Sequence, residues 1–156
     1  MILGGGHVGA QVAKLGQGVG FLVTVIDPSA KEENFPKLVE VIPEFIEKGI
    51  SKVEITPQTY VVVSTGHKYD EAALRAVINS KAAYVGMVAS RRKAATVYRN
   101  LLDEGVPKEK LKRVHSPIGL DIGAETPEEI AVSIIAEIVK ARKKPEASGE
   151  SLKISP

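Results

Sequence analysis

Met1-Ile2-Leu3-Gly4-Gly5-Gly6-His7-Val8-Gly9-Ala10 opens the chain, and its reading decides the fold. A short apolar segment runs into Gly4-x-Gly6-x-x-Gly9, and a helical apolar pattern comes after it: Val8, Val12, Leu15 and Val19 recur on one face. This is the pattern of the phosphate-cradling turn in a dinucleotide-binding βαβ unit. The first glycine permits the tight turn, the second lets a pyrophosphate approach the backbone, and the third lets helix and strand pack closely. The turn alone is a weak motif and takes its weight from the strands and helices downstream. The strand before such a turn usually has about five residues. Here it is shorter, so either the first strand is short or the sequence starts inside a once longer protein.

Gly16, Gly18 and Gly20 end the helical pattern. Phe21 to Ile26 is then a nearly continuous apolar run, as expected for a strand covered on both faces in a parallel sheet. It stops at Asp27-Pro28. Asp27 sits about 20 residues beyond the turn, where a carboxylate accepts from the ribose hydroxyls of NAD and repels the 2′-phosphate of NADP. The alternative is a turn cap, a common place for Asp before Pro.

The same alternation continues. Leu38–Ile42 reads as a third strand, after a polar loop over 28–34. Pro43–Gly49 reads as a short helix. Tyr60–Val63 is a fully apolar strand that ends at Ser64-Thr65-Gly66-His67. Tyr69–Ser80 comes next as a helix with Ala72, Ala73, Ala76 and Val77 inward. Ala83–Val88 is a fifth strand, Ser90–Glu104 a helix, and Arg113–His115 a sixth strand. Ser116–Glu125 is a Gly-rich loop. Thr126-Pro127-Glu128-Glu129 starts a last helix with a cap, a proline in the first turn and a capping-box glutamate; Ile130, Ile134, Ile138 and Ala141 form its stripe. The expectation is a three-layer, doubly wound α/β fold of the Rossmann type, with a parallel sheet in the order 3-2-1-4-5-6. The domain covers residues 1–142, and the Pro-, Ser- and Lys-rich stretch 143–156 is expected to be disordered.

Composition limits the function classes. The chain has 156 residues, 44% hydrophobic and 26% charged, which suits one soluble domain. A net charge of +2 and 4% aromatic residues argue against nucleic acid as a partner. No apolar run approaches the ~20 residues of a membrane span, and no signal peptide is recognisable. Cysteine is absent, which removes thiol nucleophiles and zinc–thiolate sites and fits a cytoplasmic protein.

In such a fold, ligands bind outside the carboxyl ends of the strands, where the order reverses. The first and fourth strands flank that crevice, so Gly4, Gly6, His7, Val8 and Gly9 should face Thr65, Gly66 and His67 across one ligand. His7, His67 and His115 all come after strands; contact or bracing roles, or proton transfer, suit them better than a metal site, and no metal is expected. Ser90-Arg91-Arg92-Lys93 places a cap and three cations in the first turn of a helix. There the helix dipole disfavours positive charge, and a bound phosphate reverses the penalty. Ser90, Arg91 and Arg92 are therefore candidate anion ligands, with solvated surface cations as the alternative. Gly119 and Asp121 lie in the apolar loop Pro117–Ala124, which should fold against the body or a partner; Asp121 either braces that loop or touches ligand.

Together these segments resemble a known family. Tyr84-Val85-Gly86-Met87-Val88-Ala89-Ser90-Arg91-Arg92-Lys93, the run from Ser116-Pro117-Ile118-Gly119-Leu120-Asp121-Ile122-Gly123-Ala124 to Ala131, and Gly4-Gly5-Gly6-His7-Val8-Gly9 are similar to motifs of the carboxyl-terminal Rossmann domain of the XdhC/CoxI proteins, the xanthine dehydrogenase accessory family. The resemblance covers nearly all of the chain except the tail. It adds Met87 to the candidate ligand contacts. It implies a chaperone-like role more than a metabolic enzyme: binding molybdenum cofactor and assisting its insertion into a molybdenum hydroxylase. It also implies an NAD-type nucleotide or dinucleotide ligand for the domain. Full-length members carry a further amino-terminal domain, so a separate protein supplying it is an expected partner, and self-association into a homo-oligomer stays open. After the fourth strand the family often has T-H-D-H; Thr65-Gly66-His67-Lys68 departs from it. An NAD-dependent oxidoreductase and an NAD-sensing regulatory domain are the competing readings, since the glycine turn and Asp27 suit both.

Overall fold

The computed structural model describes residues 1–66 and 69–152. Six parallel strands form one sheet: β1 (Ile2–Leu3), β2 (Thr24–Ile26), β3 (Glu40–Ile42), β4 (Tyr60–Val63), β5 (Tyr84–Met87) and β6 (Val114–His115). Their order is β3-β2-β1-β4-β5-β6, the doubly wound Rossmann-like order expected from the sequence. β1 pairs with β2 through Ile2↔Val25 and with β4 through Ile2↔Val62, so the winding of the sheet reverses at the first strand. Among the described residues six α-helices connect and flank the strands: α1 (His7–Gly18), α2 (Ile46–Ile50), α3 (Asp70–Val77), α4 (Arg91–Asp103), α5 (Lys108–Leu111) and α6 (Pro127–Lys143).

The continuous apolar runs arise from burial of both sheet faces. Successive residues point to opposite sides. Leu3, Val61, Val63, Val85 and Met87 meet Ala73, Leu74, Val97 and Leu101 of α3 and α4. Ile2, Val25, Val62 and Tyr84 meet Val12, Ala13, Ile134 and Ile138 of α1 and α6. Two cores therefore lie on either side of a sheet whose first strand is only two residues long.

Several elements differ in detail from the sequence pattern. β2 is shorter than Phe21–Ile26, because Leu22 is 99% exposed ahead of the sheet. β3 begins at Glu40, and Leu38 lies outside at 77% exposure. Helix α2 starts at Ile46 and not at Pro43. The polar segment before β3 contains a 3₁₀ turn (Glu32–Asn34), and α5 has too few residues to show periodicity. In α3, Ala76 is exposed and Leu74 takes the inward place. In α1 the buried face is Gly9, Val12, Ala13 and Gly16, whereas Val19 is 44% exposed. This face packs against α6: a Cβ built on Gly16 would make ordinary contact with Ile135 Cδ1 at 3.6 Å. Helix α6 extends through Lys143, and its first turn has the capping box formed by Thr126 and Glu129.

Ile134 is fully buried between α1 and the sheet. Ile134→Ala should therefore cost about 2–5 kcal/mol in urea denaturation. Val19→Ser should stay within about 0.5 kcal/mol of the parent, although both positions belong to apolar helical patterns.

Candidate functional site

The site is built on the turn from β1 into α1. Gly4 has φ +102°, which favours glycine. A Cβ there would also lie 2.3 Å from the Ser64 carbonyl oxygen, and one on Gly9 would lie 2.1 Å from the Gly4 carbonyl oxygen. These two glycines let β1, α1 and the end of β4 converge. Gly6 is different: a Cβ there meets nothing within 4 Å. Gly6 is the N-cap of α1, contributes no side-chain cap, and precedes a first turn without acidic residues. Helix N-termini leave amide N–H groups without partners inside the helix, and these together with the dipole favour an anion. The amino end of α6 contrasts with it, since Thr126 and Glu129 satisfy it internally.

Two pockets open at the carboxyl edge of the sheet, one on each side of this turn. The first, about 470 Å³, is lined by Gly4, Asp27, Ser29, Phe45, Thr65 and Tyr69, among others. Phe45 and Tyr69 are exposed aromatic residues there, at 65% and 49%. The second, about 690 Å³, is lined by Gly6, His7 and Val8 from the glycine turn, by Ser64, Thr65 and Gly66 after β4, by Ser90 and Lys93 near β5, and by Pro117 and Ile118 after β6. Asp27 and Thr65 line both pockets. Asp27 Oδ2 accepts from the Gly5 amide at 2.7 Å and Oδ1 from the Ser29 amide at 2.7 Å. The carboxylate thus braces the glycine turn, and each oxygen keeps further lone pairs for a ligand hydroxyl.

The expected ligand residues divide plainly. Gly6, His7, Val8, Asp27, Thr65, Gly66 and Ser90 converge on the second pocket, and Gly4 lies on the first. Gly9 acts beneath the turn through its packing. Met87 lines neither pocket: its side chain is fully buried in the core, and its carbonyl accepts from the Ile118 amide at 3.2 Å and from Ser116 Oγ at 3.2 Å. Arg91 and Arg92 also stand apart from both pockets. Arg91 is exposed, and Arg92 lines a groove between α3 and α4 with Glu71 and Arg75. Asp121 is exposed and lines neither pocket. His67 lies outside the described residues. Among the described residues no cluster of His, Cys, Asp and Glu has metal-binding geometry.

Among the described residues, the lysine or arginine on the second pocket's wall is Lys93. Its ammonium forms an ion pair with Asp70, which is only 1% exposed and also accepts from Thr65 Oγ1 at 2.5 Å. The sequence carries a signal for Asp70: it shares the inward stripe of α3 with Ala73, Leu74 and Val77, and a carboxylate on that stripe needs a partner.

Glu137 is a second residue legible only by stripe position, alongside Ile134 and Ile138 on α6. It ties the loop after β6 to the body. Glu137 accepts from Tyr84 Oη at 2.5 Å and from the Gly119 amide at 2.8 Å, and His115 Nδ1 lies 3.2 Å away. Burial by itself raises the Glu137 pKa, but bonds from His115, Tyr84 and Gly119 outweigh burial and hold it at about 2. Burial first, and Glu137 second, push the Tyr84 hydroxyl far above its ordinary range. Gly119 has φ +105°, and a Cβ there would lie 2.3 Å from Ser133 Oγ. The apolar loop therefore folds against the body and sets Pro117 and Ile118 on the pocket wall.

A doubly wound sheet with a glycine turn at its reversal point defines the Rossmann class of α/β fold. The profile of the XdhC Rossmann domain matches residues 1–138, and the chain belongs to that family. It is 35% identical over 146 residues to the uncharacterized protein YqeB of Escherichia coli, covering 91% of this chain and 27% of that protein. It is 33% identical over 148 residues to a probable xanthine dehydrogenase subunit of Bacillus subtilis, covering 92% and 43%. A crystal structure of a xanthine dehydrogenase from Bacillus halodurans superposes with a TM-score of 0.78 at 26% identity, over 97% of this chain and 44% of the other. The chain thus spans less than half the length of each of these relatives. Among the described residues no helix is long and apolar enough to cross a membrane.

The depressed Glu137 pKa carries a sign. Its bonds stabilise the fold fully above about pH 4.5, and that contribution is lost as pH falls towards about 2. Glu137→Gln should flatten the dependence of thermal stability on pH in that window.

Proposed function

We propose that this domain is the nucleotide-binding module of an accessory protein for xanthine dehydrogenase-type molybdenum hydroxylases. The observation that carries the binding part is the pair of pockets flanking one glycine turn and sharing Asp27 and Thr65. That division suits a ligand of two halves joined by phosphate. Pyrophosphate would lie over Gly6 and the uncapped start of α1, where there is space and an excess of N–H donors. The Asp27 carboxylate would take ribose hydroxyls, and Phe45 and Tyr69 would flank an adenine. NAD or a related dinucleotide fits these features. Molybdenum cofactor, a phosphate-bearing pterin, is the other ligand that the family role supports.

The accessory role rests on the family and on the names of relatives in Bacillus subtilis and Bacillus halodurans. A molybdenum hydroxylase is then the partner, and a protein or segment equivalent to the remaining length of the relatives is a second one.

Mass spectrometry of ligand retained after native purification, then calorimetric titration with NAD and ADP, tests the binding role. Micromolar binding is expected. Asp27→Asn should weaken it about tenfold, the loss of one charge-assisted hydrogen bond. Gly6→Ala should fold normally, since its φ of −65° and open surroundings admit a methyl group, yet should weaken binding at least as much. Retention of no nucleotide or pterin, together with absence of titratable binding at millimolar NAD and ADP, would overturn the assignment. Co-purification with a molybdenum hydroxylase tests the accessory role separately.

A further inference from the structure

Lys93, Asp70 and Thr65 form a charged assembly that the glycine turn does not explain. Asp70 is 1% exposed, while the Lys93 side chain is 15% exposed and lines both the second pocket and the groove between α3 and α4. The pair therefore presents its positive end to the cavity and keeps its negative end in the protein. A buried ion pair is a poor source of stability, because desolvation offsets much of the attraction. It does hold a flexible lysine in one place. Asp70 takes one of the three N–H donors of the ammonium, which leaves donors for a ligand. Thr65 accounts for the second carboxylate oxygen, so Asp70 is anchored from two elements. Ser90 adds a hydroxyl on the same wall; its oxygen already accepts from the Lys93 amide, so its proton is left to donate.

We propose that the Lys93 wall of the second pocket is a subsite for an acidic group, a carboxylate or phosphate, on the half of the ligand lodged there, and that Lys93 binds it while Asp70 positions Lys93. This rests on the assignment of the crevice to a two-part nucleotide. The positive end of the ion pair opposes the cationic ring of an oxidised nicotinamide and favours the same ligand bearing an added negative charge. Asp27, shared by the two pockets, then reads hydroxyls, and Lys93 reads an anion in the second pocket.

Nicotinic acid adenine dinucleotide differs from NAD by a carboxylate in place of the carboxamide, and ADP lacks that half entirely. Calorimetric titration of the parent chain should show the carboxylate dinucleotide binding about tenfold more tightly than NAD. Lys93→Met should abolish that preference; Lys93→Arg should retain it. Lys93→Met strands a buried carboxylate, so the double variant Asp70→Asn with Lys93→Met, which leaves no charge unpaired, is measured alongside and should also lose the preference. Asp70→Asn alone should lower the preference. Equal affinities for the two dinucleotides in the parent, or a preference that survives in the double variant, would overturn the inference while ADP binding leaves the nucleotide crevice standing. Absence of ADP binding overturns both.

Discussion

The close approach of the Gly4 backbone to Ser64, with Gly9 packed under the Gly4 carbonyl, is the constraint on which the rest of this structure depends. A side chain at either glycine would overlap backbone atoms by about an ångström or more of ordinary contact distance. Their absence lets a two-residue strand sit between β2 and β4 and lets α1 start at the sheet edge. The reversal of strand order occurs there, so the crevice is a consequence of backbone packing before any side chain lines it. Asp27 then fastens the turn through the Gly5 amide, which links the end of β2 to the same point.

Around that point two carboxylates, Asp70 buried and Glu137 half-buried, do similar mechanical work on opposite faces of the sheet. Asp70 ties the segment after β4 to the start of α4 through Thr65 and Lys93. Glu137 ties the loop after β6 to α6 and β5 through Gly119 and Tyr84. Both are anchored by hydrogen bonds, as burial of charge requires. The result is a pocket wall assembled from loops yet held by helices, the usual arrangement where irregular segments carry ligand contacts.

The strands and most helices were legible because burial on both faces leaves unbroken apolar runs, and the intervening helices keep their own period. Legibility failed where spacing was right but the place in the element decided the face. Val19 continues the α1 spacing but falls at the C-cap, past the last helical residue Gly18, and is left exposed. Met87 stands in a motif beside Ser90, yet a strand points alternate residues to opposite sides and sends it into the core. Arg91 and Arg92 share the first turn of α4 with Lys93, but a helix rotates about 100° per residue. Of these three cations only Lys93 reaches the pocket, and the turn's composition alone does not say which.

By itself, the sequence determined the sheet order, the glycine turn, the position of Asp27 and the family, since these rest on local geometry and on spacing along the chain. Only the tertiary structure decided which charges face a ligand. That outcome depends on the rotation of α4 and α3 against the sheet and on the pairing of Asp70 with Lys93, residues distant in sequence that meet only when both helices are packed.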